Sequence, residues 1–494
     1  MSHSTNDLFP VPSSPPSTLI PAQWPGISPE SVAALRQVLK DNHDKHHAFF
    51  NNQGFHNHSA HRAIAIWALG ADAAVIKGGY SKDSSIQLPA FKSPGPVTAA
   101  NFNDHIGDKT HYNSYLVFFV DAIREEGVAA VVEKYVFSKA ANDSPRPRML
   151  DHFLGGLIHP MIHVGYGLEF RLPGMVAQGL AQASVHADFA LARIPASFFE
   201  NSFISSALDQ AAARLKSVML SADAMPGSSG LHTFSILARV LKDPEFGTIA
   251  DDGEIYATSA ERFGETLRKL IDQWQIDTTN AQDVERKIEE LSWMNVMIYG
   301  IGGWQKGQPF NADFFIMHIV TSSIFLPSFV AYLTPSSQEL LLRSYLFVSL
   351  TWWIARGRPS LNIAQFFAST KPGPSPAPTS KHAKPHESAV ASSEFPNPWL
   401  PIIANTVIHP DDHHVKLQRA IVHYGMLYGK REAGREDFKQ TELEGAEKLD
   451  GSLFIRVAGL THERLGRVLE GEENNGWERT GFYQSGEKNE RYSL

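Results

Sequence analysis

The chain has 494 residues, enough for one large core or two to three ordinary domains. Its 43% hydrophobic and 19% charged content is that of a globular protein, and a formal charge of −8 offers no basic footprint for nucleic acid or anionic lipid. Cysteine is absent, which excludes disulfides, thiolate nucleophiles, iron–sulfur clusters and cysteine-ligated zinc, so any metal must be held by carboxylates or by some of the 22 histidines.

The first residues, Met1 to about Ile20, are Ser/Pro-rich, carry Asp7 and contain no apolar run. They read as a disordered tail over residues 1–24, not as a secretory signal, and the expected location is cytoplasmic. Ser28-Pro29-Glu30 is a cap followed by proline at the first helical position, with Val32, Leu35 and Leu39 recurring on one face. Ser59 opens a second helix that ends at Gly70. Further helices are predicted over Tyr115–Lys134, Met149–Phe170, Pro173–Ala190, Ala281–Tyr299, Asp313–Leu333 and Glu339–Arg356. Phe314–Leu333 is uncharged and has the length of a membrane span. It contains His318, Thr321, Ser322, Ser323 and Pro327 and lacks basic flanks, so it reads as a buried central helix. Residues 369–398 are rich in Pro, Ser and Ala and read as a flexible insertion. Alternating strand patterns joined by Asn-Gly or Asp-Gly turns are missing. The expected fold is mainly α, one large multi-helix bundle over residues 25–470 with a C-terminal tail at 471–494.

Four histidine groups carry the chemistry. In MLDHFLGGLIHPMIHVGYGLEF, helical phase puts His152, His159 and His163 in one narrow arc, and His159 and His163 at i and i+4 are placed to share a metal. Pro160 presses on the carbonyl of Gly156, so a kink is expected there, and a kink beside paired histidines opens a pocket. His56, His58 and His61 cluster at the start of the second helix, where a metal or catalytic role, foremost for His58, and a solvated helix entrance explain them equally well. His318 lies in a segment apolar on every side, so its ring needs partners for both nitrogens. A metal with a second-shell acceptor satisfies it, and so does a neighbouring hydroxyl. In His409-Pro410-Asp411-Asp412-His413-His414-Val415-Lys416, Pro410 and two acidic residues mark a helix start. The buried stripe below, extended backwards, lands on His413 and Lys416. Three readings of Lys416 stand: an ion pair with Asp412, a base of lowered pKa, or a modified metal ligand.

Gln178, Gln182 and His186 line one helix face, either a polar pocket wall or a solvent face. Arg356 and Arg358 close a helix, where they complement its dipole in preference to gripping a substrate anion. No GxGxxG follows a strand, and P-loop, HExxH and GxSxG motifs are absent, so no flavin or nicotinamide domain of Rossmann type is encoded.

The blocks HHAFFNNQGFHNHSAHRAIAIWALGA, LIHPMIHVGYGLEF, DFFIMHIVTSSIFLP, WWIARGRP and HPDDHHVKLQRA, in this order over about residues 25–470, resemble the questin oxidase-like family. That family includes fungal enzymes that open anthraquinone rings in polyketide pathways, among them a Baeyer–Villiger-type step of aflatoxin biosynthesis. The resemblance implies an oxygenase acting on an aromatic polyketide with O2. It acts either as an NADPH-linked monooxygenase or as a flavin-free dioxygenase with non-haem iron at a His-rich centre that includes a carboxylated lysine. Carried over by motif, His58, His159, His163 and His318 are the expected ligands and Lys416 the modified lysine. His413 is the residue expected to replace any one of these five and, with Lys416, to act in catalysis. Two other function classes stand beside this one: an all-α metal-dependent hydrolase using His43-Asp44, and a non-catalytic polyketide-binding protein with an aromatic-lined cavity.

Overall fold

Residues 8–15, 17, 19–143, 148–199, 230–247, 254–375, 390, 397–466, 468 and 475–482 are described by a computed structural model. Among them the chain is helical without a strand, and its only ladder pairings are isolated bridges such as Phe49 with His56 and Asp313 with Glu478. The helices that build the site are α1 (Pro29–Lys45), α2 (Ser59–Ala68), α3 (Ala73–Ser84), α4 (Tyr112–Glu126), α5 (Met149–Phe170), α6 (Pro173–Ser184), α7 (Ala281–Gly300), α8 (Met317–Ser323), α9 (Leu326–Val330), α10 (Pro335–Ala355), α11 (Asp412–Tyr428) and α12 (Ser452–Arg464).

Local chemistry sets their limits. Ser28 caps α1 reciprocally: its hydroxyl accepts from Ser31 N at 3.2 Å, and Ser28 N donates to the Ser31 hydroxyl at 2.9 Å. This fixes the phase that buries Ala34, Leu35, Val38 and Leu39. α2 is buried on every side, and α5 packs along α6 over its length. Helices α2, α5, α8 and α11 meet in a closed ring: α2 touches α5 and α11, and α8 touches the same two. Trp67, Trp274, Trp293 and Trp353 are among the largest fully buried side chains around them. Each contributes about 4–6 kcal/mol of apolar burial before the entropy of ordering is subtracted.

The kink expected at Gly156 is present and is sharper than a bend. Gly156, Leu157 and Ile158 have φ of 52°, 55° and 64°, a short left-handed turn inside α5. For leucine and isoleucine that conformation costs about 1–2 kcal/mol each. Burial of Ile158, which is 0% exposed, offsets part of it. Gly156 has no room for a side chain, since a Cβ there would lie 2.3 Å from Cε1 of His186.

Several expectations are corrected. Asp313–Leu333 is not one helix: Asp313 accepts from Phe315 N and Ile316 N at 2.9 Å each, α8 follows, and Pro327 opens the separate α9. Tyr115–Lys134 breaks at Gly127, whose φ of 85° ends α4. Pro410 precedes α11 and does not lie in its first turn, because Asp411 is the cap and accepts from His414 N at 2.8 Å. The N-terminal segment is not free throughout: Phe9 is 0% exposed and Gly174 N donates to Leu8 O at 2.9 Å. The C-terminal tail likewise docks over residues 475–482, with Phe482 in the core. Most of the expected insertion at 369–398 lies outside the described residues. Among those described, no helix is long and apolar enough to cross a membrane.

Candidate metal centre

Each helix of the central ring delivers a histidine to one place. His58 is the N-cap residue of α2, and its extra-helical backbone turns the ring inward. His159 follows the left-handed turn of α5, His318 lies in the first turn of α8, and His413 lies in the first turn of α11. The ring of His159 lies 4.9 Å from that of His318 and 4.8 Å from that of His58, centroid to centroid. The His413 ring lies 4.6 Å from His58 and 5.3 Å from His318. The potential donor atoms of His159, His318 and His413 fall within 4.8 Å of one another, as do those of His58, Asp412 and His413 and those of His56, His58 and His159.

The hydrogen bonds fix which nitrogen faces the centre. His159 Nδ1 lies 2.7 Å from Gly156 O, and His318 Nδ1 lies 2.8 Å from Phe314 O. A carbonyl only accepts, so both Nδ1 atoms carry the proton and both Nε2 atoms keep a lone pair. The left-handed turn is what presents the Gly156 carbonyl to His159. Asp412 faces the other two rings as a charge: its Oδ2 lies 2.7 Å from His58 Nδ1 and 3.4 Å from His413 Nδ1, with no aligned hydrogen bond among the described residues. The Nε2 atoms of His58, His159, His318 and His413 are all buried and have no hydrogen-bond partner among the described residues. Burial, with neighbouring imidazoles and Lys416, holds His159 and His318 well below the usual histidine range, and His58 is lowered to about 3. The lone pairs on Nε2 of His159 and His318 converge with the His58 and His413 rings on a space that a cation would fill. Nitrogen donors of this kind, backed by carbonyl and carboxylate acceptors, fit a divalent transition metal.

Lys416 sits one turn below Asp412, 2% exposed, with Nζ 3.3 Å from Asp412 Oδ2. The ion-pair reading is therefore present in the structure, although Nζ has no aligned hydrogen bond. Burial lowers its pKa against the pull of Asp412. Burial alone would raise Asp412, but His413, His58 and Lys416 hold it well below the usual carboxylate range.

His163 is not brought to this cluster. One turn farther along α5, its Nδ1 meets His61 Nε2 at 2.9 Å and its Nε2 meets Gln178 Oε1 at 2.9 Å. The Gln178 amide donates onward to His43 Nδ1, again at 2.9 Å. Both nitrogens of His163 are thus in use, and His413 stands where a fourth histidine was expected. His56 stacks on His159 at 4.0 Å but shares its Nε2 with His186 Nε2 at 2.8 Å. The hydrolase pair is not at the centre either, since His43 belongs to the Gln178 chain and Asp44 is exposed. Arg356 is structural, with its guanidinium on Asp313 Oδ2 at 2.7 and 3.0 Å, and Arg358 donates to Asp243 O at 3.0 Å.

Sequence reasoning treated Asp412 only as a partner for Lys416 and missed that it also backs two histidines. The signal was its place directly before His413 at a helix start. It also missed the aromatic wall. Phe314 lies 4.9 Å from His413 and 5.2 Å from His318, and Trp477, assigned to a tail, lies 6.4 Å from His413. A cleft of about 370 Å³ lined by Arg148, Asp151, His152 and Arg193 includes none of the four cluster histidines.

Residues 55–421 match the family described as questin oxidase-like. The chain is 27% identical over 450 residues to a Baeyer-Villiger oxidase of Pestalotiopsis fici, covering 88% of each chain. It is 26% identical over 409 residues to a questin oxidase of Aspergillus terreus, covering 79% of this chain and 80% of the relative. A questin oxidase of Aspergillus fumigatus is 25% identical over 459 residues, covering 89% of this chain and 90% of the relative. With a match that spans most of its length and includes all four converging histidines, the chain belongs to the questin oxidase-like family.

Proposed function

We propose that the protein is an oxygenase that opens a ring of an anthraquinone-type aromatic polyketide at a non-haem iron held by His58, His159, His318 and His413. The observation that carries this reading is the set of four buried, unpartnered Nε2 atoms contributed by four different helices. The names of the relatives supply the reaction class and the type of substrate. When bound, iron supplies the Lewis acidity and redox chemistry that O2 and an ionised phenol require.

The chain's own groups do the rest. Gly156 O, Phe314 O and Asp412 hold the four rings by their Nδ1 atoms, so that ring orientation is set before a metal arrives. Phe314 packs against His413 and His318, and Trp477 against His413. Lys416 is the fifth ligand of this proposal, in carboxylated form. An ammonium beside a metal cation is repelled, whereas loss of one proton to give the neutral amine, followed by N–C bond formation with CO2 and release of a second proton from nitrogen, yields an anionic carbamate oxygen donor. Burial, which lowers the pKa of Lys416, favours the neutral amine that this addition needs.

The relatives named as Baeyer-Villiger oxidases favour a second route, NADPH-linked monooxygenation. The two differ in their balance. Dioxygenation breaks a C–C bond and places both atoms of O2 in the product without an external reductant. Monooxygenation inserts one atom beside a ketone and releases the other as water, using two electrons from NADPH. Turnover of a hydroxyanthraquinone under ¹⁸O2, with and without NADPH, tests the proposal. Two labelled atoms in an NADPH-independent product support the iron dioxygenase, and one labelled atom with obligatory NADPH in metal-free protein overturns it.

A further inference from the structure

Residues 475–482 lie beyond the segment matched to the family, yet they are built into the wall of the centre. Phe314 N donates to Glu478 O at 2.8 Å and Glu478 N donates to Ala312 O at 2.9 Å, which ties this strap to the chain just ahead of His318. Asn311 Nδ2 holds Gly481 O at 2.9 Å, and Arg356 Nη2 holds Arg479 O at 3.0 Å. Trp477 Nε1 donates to Asp411 Oδ2 at 2.9 Å, pinning the indole to the cap of the helix that carries His413. The backbone of the strap is therefore fixed at both ends and in the middle.

Two side chains are left facing the site from this frame. The Trp477 ring lies 6.2 Å from Phe314 and 6.4 Å from His413. The Arg479 guanidinium lies 4.0 Å from the centre of the Phe314 ring, and that ring in turn touches His413 and His318. Arg479 is half-buried, and among the described residues no carboxylate lies within ion-pair distance of its guanidinium, the Asp411 charge acting on it from farther off. Every other strongly held arginine near the centre has an acceptor: Arg356 has Asp313 and Arg419 has Glu169. A cation held over an aromatic face, its fork unfilled, is arranged to receive an anionic oxygen while a flat ring packs beside it.

We propose that Arg479 and Trp477 are substrate-positioning residues: Arg479 binds the phenolate or carboxylate of a planar aromatic substrate, and Trp477 with Phe314 packs its ring system beside the histidine centre. This rests on the reading of the protein as an aromatic polyketide oxygenase. It adds that the strap, outside the family-matched segment, sets which aromatic anions are accepted.

The test compares wild type, Arg479→Ala, Arg479→Lys and Trp477→Phe against a hydroxyanthraquinone and its O-methylated counterpart. Dissociation constants come from tryptophan quenching or calorimetry, alongside KM, kcat and bound metal. Arg479→Ala is expected to weaken binding of the free phenol by about 10- to 100-fold, the loss of a charge-assisted hydrogen bond. Binding of the methyl ether and bound metal stay near wild type. Arg479→Lys restores only part of the loss. If Arg479→Ala binds both compounds as wild type does, or weakens both equally, the positioning role is overturned while the oxygenase reading stands. If wild type binds neither compound, both fall together.

Discussion

Two histidine groups lie side by side and share α2 and α5, and they differ in what the second ring nitrogen meets. In the first group, His58 and His159 pass Nδ1 to a carboxylate or carbonyl and leave Nε2 bare toward His318 and His413. In the second, His61 and His163 come from the same α2 and α5 but share nitrogens with each other, with Gln178 and through it with His43. Both groups are buried, and both are held below the usual histidine pKa by that burial, His163 at about 4 and His58 at about 3. Burial and histidine density therefore do not distinguish a metal centre from a structural chain. The distinguishing feature is whether the remaining lone pairs converge without a partner.

The largest effect that sharpens this contrast is expected from Asp412→Asn. It removes the negative charge behind His58 and His413 and leaves one amide oxygen for two rings, and metal affinity should fall by about 10- to 100-fold, measured by competition with a chelator. A variant that binds metal as tightly as wild type would remove Asp412 from the account. Next is Gly156→Ala, which meets both a positive φ and the His186 ring. It should cost about 3 kcal/mol in chemical denaturation and also loosen the metal, because the carbonyl that orients His159 moves. Unchanged metal affinity there would mean that the left-handed turn does not orient the ring.

Gln178→Leu acts on the second group alone. It strands His163 Nε2 and His43 Nδ1 and should destabilise the fold by about 1–2 kcal/mol while leaving bound metal unchanged. The pH dependence bears on the same contrast without a substitution. His163 and His47 titrate at about 4 and His186 at about 3 in the folded protein, each lowered first by burial. In the unfolded chain they take protons near the ordinary histidine value of about 6.5. Between these values the unfolded state binds more protons, so stability is full above about pH 6.5 and is lost as pH falls toward 4. Urea titrations at pH 7.5, 6 and 5 should show a steady decline, and a flat profile would contradict the assignment of these rings as buried and neutral.

Much of this was legible in the sequence, for local reasons. Pro160 foretold the break at Gly156, Ser28-Pro29 foretold the start of α1, and an apolar surround foretold the burial of His318. What was not legible depends on distant partners. Helical phase puts His159 and His163 on one side of α5, about 6 Å apart along the axis. Whether a ring ends at a lone pair or in a hydrogen bond is decided by His61 and Gln178, on other helices. Trp477 and Arg479 were hidden because a short strap with no periodicity carries no pattern, and distant partners, residues 312–314 with Asn311, Arg356 and Asp411, bring it to the centre.

The most direct measurement is the metal content of two purified variants, His318→Ala and His163→Ala, after identical iron loading and desalting. The convergent lone pairs predict that His318→Ala loses stoichiometric iron while His163→Ala retains it, even if somewhat less stable. Loss of iron in His163→Ala with retention in His318→Ala would contradict the account and return the centre to the other histidine group.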